Sequence, residues 1–196
     1  SFTASMTHVV INPTWTVPRK IASEELLPKI RNDISYLARN GYDVMNRDGK
    51  AVDPADVDWT SLHKNNFPYT LVQRPGPRNE LGRIKFLFPN KYGVCMHDTP
   101  KKQLFSHTSR AYSHGCIRIE KPMELASIIL GDMTPEQVQE MINNSSRNRH
   151  IDLSQEIPVY LVYMTAWTDG DTPHFYDDLY NRDRGLIAMD SSKRRV

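Results

Sequence analysis

Residues 92–120 read "YGVCMHDTPKKQLFSHTSRAYSHGCIRIE". The two ends of this stretch, "YGVCMHD" (92–98) and "CIRIE" (116–120), are strand-like, and each holds one of the only two cysteines in the chain. Cys116 falls at a loop-to-strand junction, directly after a His-Gly pair. Gly115 permits a backbone geometry that other residues resist. A turn there can aim consecutive backbone N–H groups at one point, as an oxyanion hole requires.

A cysteine nucleophile needs a base, and an imidazole nearby lowers the thiol pKa. His97 and His114 are the candidates. His114 is two residues from Cys116 with the chain bending between them, so its ring need not face the sulfur. His97 lies on a separate predicted strand and is free to approach from the side, which favours His97 as base and His114 as support. Asp98 follows His97, but on a strand its side chain takes the opposite face. A backbone carbonyl near residue 98 is therefore the better candidate to hold the imidazole. Arg118 shares a strand face with Cys116, where its guanidinium can reach a substrate carboxylate.

Other readings compete. A free cysteine is most often buried and inert. Cys95, His97, His114 and Cys116 form a formal Cys₂His₂ set, although each pair is spaced i, i+2 where zinc sites commonly use two to four intervening residues. That set keeps a zinc-stabilised binding module open beside the enzyme. A phosphatase is disfavoured, since no arginine follows Cys116 at the spacing of a phosphate cradle.

Working outward, "THVVINP" (7–13) reads as a strand ended by Asn-Pro, and further strands are predicted over 69–74, 83–88 and 157–168. "ASEELLPKIRNDISYLARNG" (22–41) has apolar residues at helical spacing, with Ser23 as N-cap and Gly41 as stop. Pro28 should divide it into two short helices. The polar, turn-rich segment that follows makes residues 19–68 a helical and irregular insertion between strands, of a length often used for a lid. Helices are predicted at 123–131 and at 134–144, the second with Thr134 as N-cap, Pro135 at its first position and Gln137 completing a capping box. The tail beyond Thr168 can add a short strand pair.

The chain has 196 residues, 39% of them hydrophobic, which suits one domain with a real core. Two cysteines exclude a disulfide scaffold. The 25 basic and 23 acidic residues are intermixed, and the only basic cluster, "SSKRRV" at 191–196, reads as a solvated tail. No nucleic-acid partner is expected. No apolar run approaches the roughly 20 residues of a membrane span, and no signal peptide is visible. The opening "SFTASMTHVVINP" suggests a domain excised from a longer protein, with targeting and further domains upstream.

His97, fifteen intervening residues, then "SHGCIR" (113–118) resembles the signature of L,D-transpeptidases of the YkuD type, H-x₁₄₋₁₇-[ST]-H-G-C. "NPTWTVP" (12–18), "LLPKIRND" (26–33), "DVDW" (56–59) and "GPRNELGRIKF" (76–86) resemble the larger YcbB-type periplasmic members, which carry a capping insertion over the active site. The resemblance spans about residues 8–182. It implies an α+β fold, mainly β, with a sandwich or barrel catalytic core and a helical capping insertion at 19–68.

It further implies a periplasmic cysteine acyltransferase of the cell wall without metal or organic cofactor. Cys116 would attack a tetrapeptide stem and expel D-Ala. His97 would serve as acid and base, and Gly115 and Cys116 N–H groups would hold the oxyanion. A second stem amine would then accept the acyl group as a 3→3 crosslink, and carbapenem β-lactams would acylate the same sulfur. Water as acceptor would make the enzyme an L,D-carboxypeptidase. Some members have Ser at the position of His114, which leaves the base role with His97. Ser113 belongs to the motif, Trp15 matches a tryptophan near the cleft of such proteins, and Tyr92 and Tyr112 are candidates for its walls. Cys95 shares a strand face with His97, and the expectation is a free thiol filling space beside the site rather than a disulfide partner of Cys116.

Overall fold

The protein is described here as a computed structural model covering residues 1–131 and 133–185, so the basic tail at 191–196 lies outside the described residues. Along the chain come β1 (Phe2–Ile11), β2 (Trp15–Thr16), α1 (Arg19–Ile21), a π-helical turn (Ala22–Leu26), α2 (Leu27–Asn32), α3 (Ser35–Arg39), β3 (Tyr42–Met45), β4 (Ala51–Val52) and β5 (Thr70–Gln73). Next are β6 (Ile84–Leu87), β7 (Met96–His97), a 3₁₀ turn (Lys102–Ser106), β8 (Ile117–Arg118), α4 (Pro122–Leu130), α5 (Pro135–Asn143) and β9 (Arg149–Leu161). The hairpin β10 (Ala166–Asp169) and β11 (Thr172–Phe175) follows.

The architecture is α+β with sheets dominant. Ala4–Pro158 form one compact unit, and its main sheet is open, in the order β8-β7-β6-β1-β9. β6 pairs antiparallel with β1 and β7, whereas β7 and β8 run parallel. Ile84, Phe86 and Phe88 alternate into the core, as a half-buried strand requires. Val9, Val10 and Ile11 are buried in succession, so β1 is covered on both faces where it ends. Asn12 then turns the chain out of the sheet with φ of 49°, matching the predicted Asn-Pro stop.

The excursion from the sheet holds a sheet of its own, ordered β2-β5-β3-β4. β2 and β5 pair with each other and close its neck, and the "RDGK" turn joins β3 to β4, with Gly49 at φ of 74°. The insertion is thus less irregular than its polar sequence suggests. Leu26, Leu27, Ile30, Leu37, Tyr42 and Leu71 bury together with Val57, Trp59, Leu62 and Phe67 from its turn-rich second half. Arg31 ties that half down by donating to the carbonyls of Trp59, Thr60 and Leu62.

The helical part also differs from expectation. Helix begins at Arg19 after Pro18, and Ser23 lies within the π-helical turn with no capping role. Pro28 sits in the first turn of α2, where a missing N–H costs little, so the chain stays helical past it and breaks at Asp33 instead. Gly41, at φ of 70°, does end the helical stretch. Thr134, Pro135 and Gln137 form the predicted capping box of α5.

Buried polar residues fix the neck between the two sheets. Asn79 donates to the carbonyls of Pro13, Gln73 and Arg74. Gln73 donates to the carbonyls of Asn40 and Arg78 and accepts from the Glu80 N–H. Each buried amide is satisfied, as stability requires.

Ser1–Thr3 and the described residues from Val159 to Gly185 make a second compact unit. It contains the β10–β11 hairpin, where Trp167 stacks on His174 with centroids 4.7 Å apart. Asp178 accepts from the Tyr163 hydroxyl at 2.7 Å and caps the N–H groups of Arg182 and Asp183.

Candidate active site

The parallel pairing of β7 and β8 assembles the site. Met96 stands opposite Ile117 and His97 opposite Arg118. The Ile117 N–H donates to the Cys95 carbonyl, and the Ile119 N–H to the His97 carbonyl, each at 2.8 Å. Side chains two apart share a strand face, so Cys95, His97, Cys116 and Arg118 all project to one side. Lys85 joins them, because β6 pairs it with His97. His97 and Cys116, with eighteen residues between them, are therefore set on neighbouring strands by register.

His97 is buried, and its Nδ1 lies 2.5 Å from the backbone carbonyl of Asp98. The imidazole is thus held as expected, with Nδ1–H donating and Nε2 left as the basic nitrogen. Burial pushes the His97 pKa down, aided by the Arg118 and Lys85 charges, so the ring is neutral near pH 7 and able to take a proton.

The Asp98 carboxylate does other work on the opposite side. It accepts from the Arg83 N–H at 2.8 Å and faces the Lys102 ammonium at 2.8 Å. Lys102 also donates to the carbonyls of Ile119 and Glu120, which pins the 3₁₀ turn to the end of β8.

Cys116 is half-buried, and its sulfur accepts from the Cys95 thiol at a sulfur–sulfur distance of 2.9 Å. Both cysteines are free thiols. The Cys95 hydrogen bond holds the Cys116 thiol below its ordinary range, with smaller help from the Lys85 charge. The same contact, with burial, pushes the Cys95 thiol up. Cys95 is 5% exposed, so the thiolate belongs on the more open sulfur. Cys116 also lies 3.9 Å from the Gly93 carbonyl.

Gly115 has φ of 140°, outside what a side chain tolerates. Its N–H points to the Ser113 hydroxyl at a long 3.3 Å. The Cys116 N–H makes no hydrogen bond among the described residues, so it is the better-placed donor for an oxyanion. The Arg118 Nε is buried with no hydrogen-bond partner among the described residues.

Among the described residues, the contacts of His114, Tyr112 and Trp15 lie away from the sulfur. His114 is exposed, and its Nε2 lies 2.9 Å from Glu25 Oε1 on the π-helical turn of the insertion. Tyr112 places its hydroxyl 2.7 Å from His107 Nδ1 and braces its own loop. Tyr92 is exposed in the turn that ends at Gly93, with Lys91 over its ring. Trp15 packs on the insertion's cluster and tilts against Tyr42 at 6.5 Å between centroids. With His114 drawn to Glu25, the formal Cys₂His₂ set does not converge, and no group of three or more His, Cys, Asp or Glu among the described residues could hold a metal ion.

Two groups at the site carried no signal in the sequence reading. Lys85 is placed by register alone, and Glu25 meets His114 from a different part of the chain.

Comparison with known proteins identifies a family. The family model of the L,D-transpeptidase catalytic domain, YkuD, matches residues 1–155. A Haemophilus influenzae protein named "Putative L,D-transpeptidase" is 36% identical over 184 residues, which is 93% of this chain and 37% of that protein. The chain therefore spans a little over a third of the length of that curated relative.

Proposed function

The chain belongs to the YkuD family of L,D-transpeptidase catalytic domains, and from that premise we propose that it crosslinks peptidoglycan through an acyl-enzyme on Cys116. The observation that carries this reading is the β7–β8 pairing, which sets a depressed cysteine thiol and a neutral, backbone-tethered histidine on one face.

In the proposed mechanism the Cys116 thiolate attacks the carbonyl of the third residue of a tetrapeptide stem. The developing oxyanion takes the Cys116 N–H, and the Gly115 N–H once it leaves Ser113. His97 Nε2 takes the Cys116 thiol proton as the thiolate forms and delivers it to the departing D-Ala amine. The acyl-enzyme then meets the side-chain amine of a second stem. His97 removes its proton, the amine attacks, and the thiolate leaves, giving a 3→3 crosslink. Arg118 anchors a stem carboxylate, and Lys85 adds positive potential on the same face.

Residues 19–68 act as a lid over the cleft in this reading. Their buried cluster makes them move as one packed body, and Glu25 latches them to the His114 loop. The setting is the bacterial periplasm, and carbapenems are covalent inhibitors. No helix among the described residues is long and apolar enough to cross a membrane.

The test is product analysis. Purified protein is incubated with disaccharide-tetrapeptide muropeptides and the products are separated by mass. Dimers linked 3→3 support the transpeptidase. Tripeptides with no dimer, at every acceptor concentration, would replace it with the carboxypeptidase.

A further inference from the structure

Cys95 forms no covalent bond in that mechanism and only donates a hydrogen bond to the Cys116 sulfur, 2.9 Å away. We propose that Cys95 is a resolving thiol: when a hydroperoxide oxidises Cys116, Cys95 captures the product as an intramolecular disulfide that a dithiol can reduce. The inference rests on the reading of Cys116 as the reactive nucleophile.

The two sulfurs have the asymmetry this chemistry needs. Cys116 is half-exposed and has thiolate character, so it is the sulfur that solution oxidants reach. Cys95 is 5% exposed and stays a protonated thiol, shielded until its neighbour has reacted. Their strands hold them in place. The Ile117 N–H bonds the Cys95 carbonyl, and Met96 faces Ile117, so Cys95 and Cys116 are the next pair along the ladder. Neighbouring strands lie about 4.7–4.9 Å apart, within the separation of Cα atoms that a disulfide spans. The bond can form without moving either strand.

The steps balance. With hydrogen peroxide as the hydroperoxide, the Cys116 thiolate attacks one peroxide oxygen, the O–O bond breaks, and with one proton taken up the products are Cys116 sulfenic acid and water. The Cys95 sulfur then attacks the Cys116 sulfur. Hydroxide leaves, takes the Cys95 proton, and departs as a second water. The two thiols have supplied two electrons to the peroxide. A dithiol reductant returns both thiols and becomes a disulfide itself. Without Cys95, a second peroxide carries the sulfenic acid on to sulfinic acid, which a dithiol does not reverse.

The experiment treats the full chain and its Cys95→Ser variant with hydrogen peroxide and reads non-reduced intact mass and transpeptidation before and after dithiothreitol. Serine keeps a donor toward Cys116 but cannot form the bridge, and Cys95→Ala serves as a second variant should serine impair folding. The expected wild type loses two hydrogens in mass and activity together and regains both with dithiothreitol. The variant is expected to gain two or three oxygens on Cys116 and stay inactive. Oxygen addition to wild-type Cys116 at the variant's rate, with no disulfide, would overturn the resolving role while leaving Cys116 as nucleophile. A Cys116→Ala protein that still transfers acyl groups would instead remove the nucleophile on which the inference rests.

Discussion

Substituting Gly82 by alanine probes the scaffold behind His97. Gly82 has φ of 63°, and an added Cβ would stand 2.3 Å from Asp98 Oδ2, 2.4 Å from its Cγ and 2.5 Å from its Cβ. Asp98 cannot swing away cheaply. It is buried, its N–H donates to the Ile84 carbonyl, and its carboxylate holds the Arg83 N–H and Lys102. The left-handed backbone costs alanine about 1–2 kcal/mol, and overpacking adds about 1–3 kcal/mol, about 2–5 kcal/mol in all. Gly49 supplies the control. It has φ of 74° with nothing within 4 Å of the added Cβ, so only the cost of about 1–2 kcal/mol applies.

At roughly 2–4 °C per kcal/mol for a chain of this size, Gly49→Ala should lower Tm by roughly 2–8 °C and Gly82→Ala by roughly 4–20 °C. Melts followed by circular dichroism, run side by side, read the difference. Because the Asp98 carbonyl also orients His97, Gly82→Ala should lower kcat at temperatures where the protein is folded, and Gly49→Ala should not. Equal Tm losses in the two variants would refute the steric reasoning. Undiminished kcat in Gly82→Ala would refute the link from Asp98 to the imidazole.

Further substitutions test the site itself. His97→Ala should cost about 10²–10⁴ in rate, the range of a general base, and more than His114→Ala; the reverse order on one tetrapeptide donor would move the base role to His114. Arg118→Ala should lower kcat/KM by roughly 10–150-fold, from a charge-assisted contact of about 1.5–3 kcal/mol, with Cys116 still alkylated by iodoacetamide; unchanged kinetics would mean that the guanidinium meets no substrate. Iodoacetamide labelling of Cys116 should titrate below the free-thiol value of about 8.5. In Cys95→Ala the thiolate loses its donor, is less stable, and should titrate higher; an unmoved midpoint would show that Cys95 does not stabilise it.

The shared strand face of the candidate site was legible because its signals are local. The alternation of "CMH" and "CIR" on strands gives the shared faces, and Gly115 announces the turn before Cys116. The tether on His97 could be anticipated too, since a strand sends the Asp98 carboxylate the other way and leaves its carbonyl close. Strand ends were less legible. β7 is confined to Met96–His97 because Asn90 folds residues 90–94 into a turn, accepting from the Tyr92 and Val94 N–H groups and donating to the Val94 carbonyl.

The second sheet was only partly legible: β5 falls within the strand predicted over 69–74, but β2 and β4 are two residues each and draw their stability from β5 and β3, not from their own sequence. Lys85 and the Glu25–His114 pair depend on register and on residues far apart in the chain, which no local pattern encodes.

The central claim is that Cys116 becomes acylated. The most direct measurement is intact mass after exposure to a carbapenem, followed by peptide mapping, on the wild type and on Cys116→Ala checked by circular dichroism. The expected result is one adduct per wild-type chain, located on the peptide containing Cys116, and none on the variant. An adduct that persists in Cys116→Ala, or that maps to Cys95, would contradict the assignment of Cys116 as the nucleophile.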